Sequence, residues 1–81
     1  MTLDGHEIFL LVDSIGLPLN IIVLELREKG LSFNIAEFIE SARDAGWKRM
    51  RVYNMVLYSG IMQNNKEFRK KLILFISHYY D

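Results

Sequence analysis

The sequence predicts an all-α fold, a compact bundle of four to five short helices that contains a helix-turn-helix pair. Two observations carry this. Apolar residues return every three or four positions through most of the chain, the period of a helix face and not of a strand. Helix punctuation frames those runs: Asp4 and Asn34 stand in front, and Gly16, Gly30 and Gly46 stand behind. With 81 residues, 51% of them apolar, the chain has room for a single domain, 1–81, with one core.

The first helix is expected over about 4–15. Asp4 and Glu7 have capping-box spacing, Ile8, Leu11, Val12 and Ile15 form the inward stripe, and Gly16 ends it. Pro18 suits the first position of the next helix, because its ring sets φ and it lacks only a hydrogen that would be unpaired there. That helix runs to Lys29. Leu19, Ile22, Val23 and Leu26 make its stripe and Ile21 and Leu24 widen it, a breadth that predicts a central, nearly buried helix. Leu31 folding back on Leu26 would complete a Schellman stop at Gly30.

Asn34, with Glu37 three residues on, starts a third helix over 34–45. Its stripe is Ile35, Phe38, Ile39 and Ala42, with Glu37, Glu40, Arg43 and Asp44 outside. A fourth helix is expected over 47–59, then a loop over 61–65. The last segment, 65–79, reads as a helix on the spacing of Phe68, Leu72, Phe75, Ile76 and Tyr79, against a rival hairpin at Asn64-Asn65. No internal repeat, low-complexity tract or linker is evident.

Formal charge totals zero but divides sharply. Residues 1–47 hold eight acids against three bases, net −5, and residues 48–81 hold seven bases against two acids, net +5. The division points to an anionic partner for the basic half or to head-to-tail pairing of the chain with itself. The absence of cysteine excludes disulfides, thiolate metal sites and thiol nucleophiles. Residues 8–26 are nearly long enough to span a bilayer, but Asp13, Gly16, Pro18 and Asn20 interrupt them and no base precedes Arg27. No membrane association is expected, and the location expected is cytoplasmic.

Catalytic chemistry finds no support. His6 and His78 have no local third ligand for zinc and no nucleophile beside them. The serines lack a G-x-S-x-G context, and no phosphate-binding glycine loop is present. The chain therefore reads as a non-enzyme with no metal or cofactor.

The remaining lead is the pair of helices 34–45 and 47–59 around Ala45-Gly46-Trp47, the layout of a helix-turn-helix. A helical wheel turns Met50, Tyr53, Val56 and Leu57 inward, and Lys48, Arg51, Asn54, Met55 and Tyr58 outward. Lys48, Arg51, Asn54 and Tyr58 would contact double-stranded DNA, while Arg69, Lys70 and Lys71 would hold its backbone. So small a regulatory DNA-binding protein would act as a dimer. The competing expectation is a helical adaptor or inhibitor that binds a protein through Met55, Tyr58 and Tyr80, or a homo-oligomer pairing its acidic half with its basic half. Met50 and Met62 are expected in the core.

Overall fold

Asp4 and Asn34 open the two halves of the molecule in the same way. In the computed structural model, which describes residues 1–61 and 65–80, each is an extended N-cap that follows a two-residue strand and precedes a helix. The elements in order are β1 Thr2–Leu3, α1 Gly5–Leu10 continuing into a π-helical turn Leu11–Ile15, and α2 Leu19–Glu28; then β2 Ser32–Phe33, α3 Ile35–Asp44, α4 Arg49–Leu57 and α5 Lys66–Ser77. The helical bundle expected from the sequence is the fold observed, and residues 66–77 are helix, not hairpin. Met62 and most of the expected loop lie outside the described residues.

The strands pair in parallel, Thr2 with Ser32 and Leu3 with Phe33, thirty residues apart. That offset relates much else. It carries the caps Asp4 to Asn34 and Glu7 to Glu37, and the buried Ile8, Phe9 and Val12 to the buried Phe38, Ile39 and Ala42. It carries Gly16 (φ 84°) to Gly46 (φ 87°), where each chain reverses in a left-handed conformation open to glycine, and buried Ile22 to buried Val52. Each half is thus strand, helix, glycine turn, helix. No repeat is evident in the sequence because what recurs is a pattern of cap, buried and left-handed positions, with few identical residues.

The halves meet through α1 and α3. Phe9 sits edge-on between Phe38 (ring centroids 5.5 Å apart) and Trp47 (5.1 Å), and Phe38, Ile39, Ala42 and Val52 are fully buried. The central helix is therefore α3. For α2 the expectation of near-complete burial fails: Leu19, Ile22 and Val23 are buried, but Ile21 and Leu24 are 52% and 53% exposed because no described element covers that side.

Local chemistry accounts for the ends. The Asn34 side chain accepts from Glu37 N, and Asn65 from Phe68 N, as caps should. Asp4 accepts from His6 N. The reciprocal half of the third helix's capping box does not form, because Asn34 N already donates to Leu3 O across the strand pair. Glu37 instead accepts the N–H of Gly5, tying α3 to the start of α1. The expected Schellman stop is present, with Leu31 N donating to Leu26 O and Gly30 N to Arg27 O, and a second one ends α3, where Trp47 N donates to Ala42 O and Gly46 N to Arg43 O.

Three side chains are turned differently from the wheel. Ile15, expected inward, is exposed, because the π-turn, wider than 3.6 residues, rotates it off the α1 stripe. Met50 is exposed, and Val52 takes the inward position: α4 begins at Arg49, and Trp47, expected to open it, is buried in the turn that ends α3. Phe75 lies at the margin of α5, its ring against Tyr79.

Candidate functional site

The outward face of α4 is built on Trp47. The buried ring supports Arg51, whose guanidinium carbon lies 3.7 Å from the ring centroid. Such stacking favours the cation through the ring quadrupole and leaves the guanidinium edges available for bidentate bonding. Arg51, Asn54, Met55 and Tyr58 line one shallow groove, closed on the far side by Pro18, Leu19 and Asn20 at the start of α2. Arg51, Asn54 and Tyr58 are exposed and Met55 is half-buried, as the sequence suggests. Lys48 is the exposed N-cap of α4, with no side-chain cap bond.

No cation of α5 lines this groove. Lys71 lines a separate apolar hollow with Phe68, Leu72 and Phe75, floored by Ile35, Val56 and Ile61. Arg69 and Lys70 are exposed along the helix. The described geometry thus brings Arg51, Asn54, Met55 and Tyr58 together and leaves Lys71 in a different depression.

Tyr80, expected at a partner surface, is half-buried and donates its hydroxyl to Trp47 O at 2.8 Å. Burial raises the pKa of its phenol above the ordinary value, and the charge of Arg43 opposes that rise. Its visible task is to fasten the C-terminal turn to the Trp47 corner.

His6 gains partners that local spacing could not show. The fold carries Glu37 to Asp4 and His6, and one ligand atom from each lies within 4.8 Å of the others, so the three could hold a metal ion. Both carboxylates already accept backbone N–H groups, from His6 and Gly5, and the His6 ring bonds Ser41 at 2.5 Å. Helix capping accounts for the cluster.

No family model, curated protein or solved structure matches the chain. No helix among the described residues is long and apolar enough to cross a membrane.

The surface that sequence reasoning missed is the outer side of α2. Ile21 and Leu24 stand across the helix from the side that holds buried Leu19, Ile22 and Val23, and exposed Leu17 precedes them in the turn before α2. Ile21 and Leu24 carry the signal in the sequence, where a breadth of apolar surface that predicts core equally describes an uncovered second side.

Proposed function

We propose that the protein is a non-enzymatic helical binding module whose partner is another protein, received on the outward face of α2. The supporting observation is that α2 is apolar on two opposite sides and the described residues cover only one. A helix apolar all round is ordinarily buried all round. Covering the exposed half of Ile21 and Leu24 would contribute about 1 kcal/mol each, from the 1.5–3 kcal/mol of a fully buried side chain. The test is photo-crosslinking: a photoreactive residue at Leu24 should trap a protein in cells, while the same probe at exposed Arg43 should not. Equal or absent adducts at both positions would remove the proposal.

A second reading, double-stranded DNA on α4, is favoured by Arg51 held flat on Trp47 beside Asn54 in an open groove. It ranks below the first for two reasons. The helix–glycine–helix unit that suggested it occurs in both halves, so the turn at Gly46 has an architectural explanation and by itself lends no support to nucleic-acid recognition. Lys71 also lines a different hollow from Arg51, so one continuous phosphate track is not supported. A duplex shift at low salt that Arg51→Ala weakens, with a shallower salt slope, would reverse the ranking.

A further inference from the structure

We infer that the outward face of α2 binds the outward face of α5 in a second copy of this chain, the two helices antiparallel. The inference rests on the protein-binding reading above and names its partner.

Both helices have an unpartnered outer face with a gradient along it. On α2 the face is apolar at the start, through Ile21 and Leu24, and acidic at the end, through Glu25 and Glu28. On α5 the face across from buried Leu72 and Ile76 is net basic at the start, where Lys66 and Lys70 outnumber Glu67, and apolar at the end, through Ile73 and Leu74, the last 73% exposed. Laid antiparallel, Ile21 meets Ile73 and Leu74 while Glu25 and Glu28 meet Lys70 and Lys66. Laid parallel, each apolar end would meet charges. The lengths agree: Ile21 to Glu28 is about 10 Å and Lys66 to Leu74 about 12 Å, at 1.5 Å per residue.

The charges are available. Among the described residues the ion pairs are Lys29–Glu25 and Arg43–Asp44, both between exposed groups, so Glu28, Lys66 and Lys70 have no such partner and Glu25 has only a solvent-screened one. The opposed charges of the two halves, −5 and +5, sum to zero, so the long-range field draws unlike halves of two copies together without a net repulsion between them.

The experiment is a charge swap on the purified full chain, followed by light scattering across a concentration series. Wild type should show a mass above the monomer that rises with concentration and falls with salt. Glu25→Lys with Glu28→Lys, and separately Lys66→Glu with Lys70→Glu, should each self-associate at least tenfold more weakly, about 1.4 kcal/mol. Mixing the two variants should restore association, because each then offers the other a complementary face; two misfolded proteins would not recover it. A wild type that stays monomeric overturns the inference, and so does association indifferent to the swaps or not restored by mixing. If a probe at Leu24 still traps a different protein when wild type is monomeric, the binding reading survives with another partner. If it traps nothing, both fall.

Discussion

Gly5 in α1 lies against the backbone of Phe38 in α3, so close that a Cβ placed on it would stand 2.7 Å from Phe38 N and 2.8 Å from Glu37 Cβ. The carbonyl of Asn34 is closer still. This crossing, with Glu37 accepting the Gly5 N–H at 3.0 Å, is where the two strand–helix–helix halves lock together.

Gly5→Ala should therefore destabilise the fold by about 3 kcal/mol or more, since the atoms in the way are backbone and cannot rotate aside. Gly16→Ala is the control. It meets nothing within 4 Å, so only the left-handed φ of 84° penalises it, by about 1–2 kcal/mol. Urea midpoints of the two variants should fall in that order; the reverse order would mean that the α1–α3 crossing does not limit stability.

Arg51 should be the better reporter of the α4 face. Its stack on Trp47 at 3.7 Å is worth about 0.5–1 kcal/mol at an exposed site. Arg51→Ala should lower stability by that amount and change the emission of Trp47, the single tryptophan. Arg51→Lys keeps the charge but not the plane, and should recover only part of the emission change. Identical spectra for wild type and Arg51→Ala would show that the stack is not populated.

The helices were legible because their caps and stops are local. Asn34, Asn65, Gly16, Gly30 and Gly46 act within one turn of where they stand, and their roles need no knowledge of the rest of the chain. What was hidden depends on contacts far apart in sequence. The strand pair and the Glu37–Gly5 bond join residues about thirty apart, and two-residue strands leave no alternation to detect. The candidate site was half legible for the same reason. Helical period places Arg51, Asn54 and Tyr58 on one outward face, but it cannot distinguish an apolar face that finds a neighbour from one that does not. Ile21 and Leu24 are the second kind.

Tyr80 should give the fold an alkaline limit. Burial raises its pKa in the folded state, so the stability it contributes is complete below its ordinary value of 10.0 and is lost as pH rises through the folded value. Tyr80→Phe should lower stability at neutral pH by about 1 kcal/mol through the missing bond to Trp47 O. The gap between the two proteins should then narrow above about pH 10, where the Tyr80 phenol of the unfolded chain begins to ionise before that of the folded one. A gap that stays constant in urea titrations up to about pH 11 would show that the phenol does not titrate against folding.

The two sides of α2 should answer opposite questions when measured at high dilution. Ile22 is buried, so Ile22→Ala removes packed methyl groups and leaves a cavity, costing about 2–5 kcal/mol. Leu24 projects from the other side, where no described residue covers it, so Leu24→Gln should change monomer stability by no more than about 0.5 kcal/mol. At high concentration the same Leu24→Gln should lose whatever stability association adds, because mass action couples the two. A midpoint that rises with wild-type concentration, but not with Leu24→Gln concentration, would identify this side as the one a partner covers. If dilute Leu24→Gln unfolds as readily as Ile22→Ala, the outer face of α2 belongs to the monomer's own core.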